Sequence, residues 1–136
     1  MISNSQELNL KLFEQLNNLS LSSCKEVLSD GYGFLISEEN QYLHPKSTQN
    51  TFLLINLSDT EFDNKTRTSR KLEIICSNDL DINNFKSELL EFGYTYEGSS
   101  NESSIDFKSY KKGENKELVI FKIDEKKYQI IFFTKF

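Results

Sequence analysis

The stretch ELVIFKIDEKKYQIIFFTKF, Glu117 to Phe136, decides the fold. Two apolar runs flank the polar turn Asp124, Glu125, Lys126, Lys127, the pattern of two adjacent antiparallel strands. With Glu125 and Lys126 at the tip, pairing sets Ile123 opposite Tyr128, Phe121 opposite Ile130 and Val119 opposite Phe132. That face is apolar throughout. The other pairs Lys122 with Gln129, Ile120 with Ile131 and Leu118 with Phe133, polar near the turn and apolar away from it. A hairpin this apolar on both sides belongs in the middle of a sheet, with helices along the first face and cover on the second only at the end away from the turn.

Working outward, the rest of the chain supplies those helices and strands. Asn4 with Glu7 forms a capping box for a first helix whose stripe is Leu8, Leu12, Leu16 and Leu19, flanked by Phe13, and Ser23 with Glu26 opens a short second helix that stops at Gly31. Strands follow at Phe34 to Ser37, around Tyr42 and at Phe52 to Leu57. Ser58 to Arg70 has little apolar character and reads as an exposed loop or long hairpin connection. Leu72, Ile74 and Cys76 alternate with Glu73, Ile75 and Ser77 in a further strand. Asp81 caps a third helix with the stripe Ile82, Phe85, Leu89 and Phe92, closed by Gly93. Strands near Tyr94 to Gly98 and Ile105 to Tyr110, parted by a turn over Ser99 to Ser104, complete a meander into the terminal hairpin.

The expected architecture is therefore one α+β domain, residues 1–136, with an antiparallel sheet, helices mainly on one face and the terminal hairpin central. Glu26, Leu28, Gly31, Tyr32 and Phe34 are echoed by Glu88, Leu90, Gly93, Tyr94 and Tyr96 at a constant offset of 62. One reading is two similar halves, each a helix followed by antiparallel strands. The other is that any helix-to-strand junction favours a glycine and an aromatic.

Composition narrows function by exclusion. The net charge is −5 over 136 residues, which argues against nonspecific nucleic-acid binding and against an anionic membrane surface. The surplus sits in the first 50 residues, where Glu7, Glu14, Glu26, Asp30, Glu38 and Glu39 face only Lys11, Lys25 and Lys46. Cys24 and Cys76, both beside apolar residues, suit buried reduced thiols. The first residues show neither a basic start nor an apolar run, so neither a leader nor a membrane span is expected, and the expected setting is the cytoplasm. No phosphate-cradling glycine loop, paired histidines or paired-cysteine metal site stands in the sequence, so no enzymatic activity, cofactor or metal is expected. Asp59, Glu61 and Asp63 alternate as calcium ligands do, but Asn64 and Arg70 stand where a glycine and a closing glutamate belong. His44 lies before Pro45 in a polar stretch and reads as a solvated loop residue.

What remains is a protein-binding domain whose partner is another protein with a basic surface. In size, charge and lack of catalytic motifs the chain is similar to the class of bacterial immunity proteins and small phage-encoded inhibitors, which implies action by occlusion. Alternatives are a dimer of the secretion-chaperone kind and a small-molecule binder that uses the uncovered sheet face. The candidate contact residues are the acids Glu38, Glu39, Asp59, Glu61 and Asp63 with Tyr42 as an aromatic anchor. A second candidate is the basic loop of Lys65, Arg67, Arg70 and Lys71, suited to a phosphate or an acidic surface. Lys108, Lys111, Lys112 and Lys116 form a further basic cluster, read as a solvated turn.

Overall fold

The computed structural model describes residues 8–63, 66–77, 80–100 and 106–136, the side chains of Ser99, Ser100 and Asp106 excepted. Helix α1 spans Leu10–Asn18. Helix α2, Leu21–Lys25, runs directly into a π-helical segment, Glu26–Gly31, and α3 spans Ile82–Glu91. The strands are β1 Leu35–Glu38, β2 Gln41–Leu43, β3 Leu53–Phe62, β4 Thr66–Ser77, β5 Thr95–Ser100, β6 Asp106–Lys112, β7 Lys116–Lys122 and β8 Lys127–Lys135. They form one antiparallel sheet in the order β1-β2-β3-β4-β8-β7-β6-β5, so the terminal hairpin lies inside it, beside β4. The expected turn over Ser99 to Ser104 falls largely outside the described residues.

Local sequence explains each helix start. The Leu12 N–H donates to Asn9 Oδ1 (3.1 Å), so Asn9 caps α1 and Leu8 lies ahead of the helix; Asn4 and Glu7 are outside the described residues. Ser20, not Ser23, caps α2, its Oγ accepting from the Ser23 N–H (3.2 Å). Asp81 caps α3 as expected, accepting from the Asn84 N–H (2.9 Å). Each such cap stabilises by about 1 kcal/mol because a helix start leaves N–H groups without partners.

The helices are joined to the sheet by aromatic contacts. Phe13 of α1, Phe85 of α3 and Phe132 of β8 meet edge-on in a triangle with centroid separations of 6.1, 5.9 and 6.4 Å. All three are essentially buried, and each such pair adds about 0.5 to 1.5 kcal/mol beyond burial. Phe132 pairs with Leu72 across β8 and β4, and Cys24 of α2 meets Arg70, two residues from Leu72, so α1, α2 and α3 all contact the same sheet face.

The hairpin pairs one residue away from the expected register. Leu118 lies opposite Phe132, Ile120 opposite Ile130 and Phe121 opposite Gln129. The cause is the turn, where Asp124 Oδ1 accepts from the N–H groups of Lys126 (2.7 Å) and Lys127 (3.0 Å) and the Ile123 N–H closes the loop on Lys127 O. That arrangement needs one residue more than a two-residue tip, and a one-residue slip exchanges the faces. Leu118, Ile120, Ile130 and Phe132 are consequently buried, while Val119, Phe121, Ile131 and Phe133 are half-buried on the opposite face.

Of the two readings of Ser58 to Arg70, exposed loop or long hairpin connection, the second is the nearer, and the segment is itself paired strand. β3 runs on to Phe62, which pairs with Thr66 at the start of β4, and Asp63 has a φ of 52°. Asn64 and Lys65 are outside the described residues.

The two halves share one plan, a helical segment and then four antiparallel strands, and the strand order reads alike from either edge. The structural equivalence differs from the sequence echo, because Gly33 rather than Gly31 matches Gly93. The Gly93 and Tyr94 N–H groups close α3 on Leu90 O and Leu89 O. Gly33 and Phe34 close the first half on Ser29 O and Leu28 O, one residue wider, as a π turn demands. Both glycines have positive φ, 74° and 93°. Equivalent bulges follow at Ile36/Glu38 and Tyr96/Gly98. Leu72 and Phe132, cross-strand partners at the centre, are separated along the chain just as Gly33 and Gly93 are, which puts the pseudo-two-fold through that pair.

The register yields a comparison of two phenylalanines. Phe132→Ala should cost about 3 to 5 kcal/mol by urea unfolding, because the cavity opens inside the aromatic triangle. Phe121→Ala should cost well under half of that; equal losses would restore the alternative register.

Candidate functional site

Both arginines read as a basic loop are structural groups on β4. Arg70 is completely buried. Its Nε and Nη2 donate to the two carboxylate oxygens of Asp59, directly opposite on β3, with the second bond at 2.9 Å. Nη1 donates to Leu16 O (2.6 Å) and Nη2 to Leu19 O (2.8 Å), carbonyls at the end of α1, and Nη1 lies 3.5 Å from Cys24 Sγ. Arg67 is half-buried, donates to Leu19 O (2.6 Å) and stacks over the Phe136 ring at 4.1 Å. The cations thus close the helix end that carries unpaired carbonyls. Lys71 remains exposed, and Lys65 is outside the described residues.

Burial disfavours the Arg70 charge, but the Asp59 hydrogen bonds outweigh it and hold the guanidinium above its ordinary range. Burial likewise raises the Cys24 thiol, only partly offset by Arg70. The thiol donates to Leu16 O (3.3 Å) and stays protonated at neutral pH. Cys24 and Cys76 are both buried and unbridged.

The acidic candidates separate into two groups. Tyr42 is 1% exposed, a core residue of β2 rather than a surface anchor. Asp59 is committed to Arg70, its side chain 7% exposed. Glu38, Glu39, Glu61 and Asp63 are exposed. The fold brings Glu39 and Glu61 to the two sides of α2. A groove of about 260 Å³ runs between Leu21, Ser22, Lys25, Ile36, Glu39, Asn40 and Tyr42, and one of about 340 Å³ between Ser20, Leu21, Ser22, Asp59, Glu61 and Arg67. Leu21 and Ser22 are their common wall. Beside them, β1 is an edge strand whose four residues are all exposed, Leu35 at 56% and Ile36 at 51%. Sequence reading passed over these two because an apolar strand start looks like core; an edge position is set by pairing, which local pattern does not carry.

Comparison with known protein families, curated proteins and solved structures finds no match for this chain.

The remaining polar features are dispersed. Lys116 Nζ donates to Glu14 Oε2 (3.1 Å), Glu14 also accepts from the buried Tyr94 hydroxyl, and Lys112 lies over the Tyr94 ring at 5.6 Å. Lys108 instead lines a pocket of about 140 Å³ with Lys86, Ile120, Lys122 and Tyr128. His44 is buried rather than solvated, its Nδ1 accepting from the Lys46 N–H (3.1 Å) and its ring edge-on to Phe34 at 5.3 Å. Among the described residues no group of three or more His, Cys, Asp or Glu is placed to hold a metal ion, and no helix is long and apolar enough to cross a membrane.

The buried acids that ionise late give a pH dependence. Burial raises Cys24 above 9.0 and Tyr42 and Tyr110 above 10.0, and burial with the Glu14 contact raises Tyr94 further. The unfolded chain therefore loses these protons first, so stability is fully present below the unfolded values and is lost as pH rises past them. The urea midpoint should fall between pH 8.5 and pH 11. A midpoint constant across that interval would contradict the burial of these groups.

Proposed function

We propose that the chain is a non-enzymatic protein-binding domain that neutralises a partner by covering a basic site, in the manner of immunity-type and phage-type inhibitors. The observation that supports this reading best is the edge formed by β1 and the β1–β2 turn. Leu35 and Ile36 are large apolar side chains left in solvent, and Glu38 and Glu39 follow them after Ser37. Apolar anchors with a charged rim are the composition of a contact patch, in which the anchors supply affinity and the acids steer the approach of a basic surface. Among the described strands β1 pairs with β2 alone, so its other backbone edge offers N–H and C=O groups that a partner strand can use.

Leu35 and Ile36 take the anchor role first assigned to Tyr42. Glu61 extends the acidic rim along the second groove beside α2. Cys24 and Cys76, both buried and outside any disulfide, fit a reducing compartment, which makes the cytoplasm the favoured setting.

The test is parallel affinity capture with the parent, with Glu38→Lys/Glu39→Lys and with Ile36→Asp. The expected result is a basic protein retained by the parent at low salt, released as salt rises, and lost from both variants. A partner retained equally by all three would remove this edge from the interface, and retention insensitive to salt would remove the electrostatic mechanism.

A further inference from the structure

At the turn end of the terminal hairpin, a small pocket opens between α3 and the sheet. Its volume is about 140 Å³, and Lys86 of α3, Lys108 of β6, Lys122 of β7 and Tyr128 of β8 line it together with Ile120. The register explains why they meet. Lys108 lies opposite the buried Ile120, and Tyr128 opposite Lys122, two residues along from Ile120, so these strand residues share the helix-covered face.

Three cations thus converge from three elements of a chain whose net charge is −5. Among the described residues no carboxylate lines the pocket. The acid nearest in register is Asp106, opposite Lys122, and three lysines against one aspartate leave a surplus of two positive charges. On the adjoining elements Glu88 accepts from Asn84 Nδ2 (2.9 Å), and Asp124 accepts from the backbone N–H groups of the turn.

The plan shared by the two halves does not call for these lysines. Leu57 lies opposite Leu72 and Leu118 opposite Phe132, so Glu61 and Lys122, each four residues further on, are equivalent under the pseudo-two-fold. Glu61 lines a groove beside α2, and Lys122 lines this pocket beside α3. The framework therefore accepts either charge at this position, and a ligand accounts for the gathering of lysines at one end only.

We propose that this pocket binds the phosphate group of a small ligand, as free phosphate or as a phosphate monoester. A phosphate dianion matches the surplus of two charges. Its several oxygens accept from ammonium groups arriving from different sides and from the Tyr128 hydroxyl, where a carboxylate offers only two. A pocket of this size takes the phosphate group and leaves the rest of an ester in solvent.

The test is a titration of the isotopically labelled chain with inorganic phosphate, glycerol phosphate and acetate, at mildly alkaline pH and constant ionic strength, followed by amide chemical shifts. Saturable shifts should centre on Lys86, Lys108, Lys122 and Tyr128 with both phosphates, and the tighter of the two names the source. Acetate should bind at least about tenfold more weakly. Lys108→Ala and Lys122→Ala should each weaken phosphate binding by about tenfold, the worth of one charge-assisted hydrogen bond. Lys71→Ala, which removes an exposed charge from the opposite face, should leave it unchanged. Lys122 is exposed, so its variant decides the matter even if Lys108→Ala fails to fold. Shifts that never saturate, acetate binding as tightly as phosphate, a Lys122→Ala chain that binds like the parent, or an equal loss from Lys71→Ala overturns the proposal. None of these changes touches Glu38 or Glu39, so the outcome is independent of the capture experiment.

Discussion

The placement of the N-terminal helices depends on one buried guanidinium. Arg70 serves Asp59 on the neighbouring strand, two carbonyls at the end of α1 and the sulfur of Cys24 on α2. Its planar fork reaches all of these at once, which the single ammonium of a lysine does not. An arginine in this position costs several kcal/mol in desolvation, and only a full set of partners offsets it. Asp59 and the α1 carbonyls are therefore obligatory neighbours. Because the end of α1 is fixed, Ser20 caps α2 at once, and α2 walls both grooves beside the acidic edge.

The second half of the molecule shows what the sheet does without that ion pair. The pseudo-two-fold through Leu72 and Phe132 carries the Asp59–Arg70 pair onto Ile120–Ile130, the same kind of cross-strand pair, buried and wholly apolar. Two isoleucines satisfy that position where α3 arrives with its own Schellman-type close at Gly93. The sheet itself thus accepts either solution. The polar one occurs where the helix end must be held by its carbonyls, and the difference between the halves lies in how each helical layer is attached.

Much of this was legible from sequence. The α3 stripe, the central hairpin and the antiparallel order come from short-range patterns that the structure retains, while the first glycine-aromatic junction lies at Gly33 and Phe34 rather than at Gly31 and Tyr32. Register was lost because Asp124 bonds two backbone N–H groups and lengthens the turn by one residue, an event no periodicity records. The Arg70 clasp was hidden by polarity, since charged residues read as loop. Yet Asp59 continues the phase of Leu53, Ile55 and Leu57, and Arg70 that of Leu72, Ile74 and Cys76. Extending both phases would have placed the pair inside the core. Tyr42 and His44 were misjudged for the same reason: flanking polar residues conceal a position that faces inward from a short strand or its end.

The most direct test of this account is a double-mutant cycle on the clasp, followed by urea unfolding, with Asp59→Ile, Arg70→Ile and the double variant that copies the other half. Each single change should cost about 3 to 5 kcal/mol, because it strands a buried charge or leaves the helix end without donors. The double variant should lose far less than the two together, as the Ile120–Ile130 pair implies. Additive losses, or single variants as stable as the parent, would show that Arg70 does not hold the helices to the sheet.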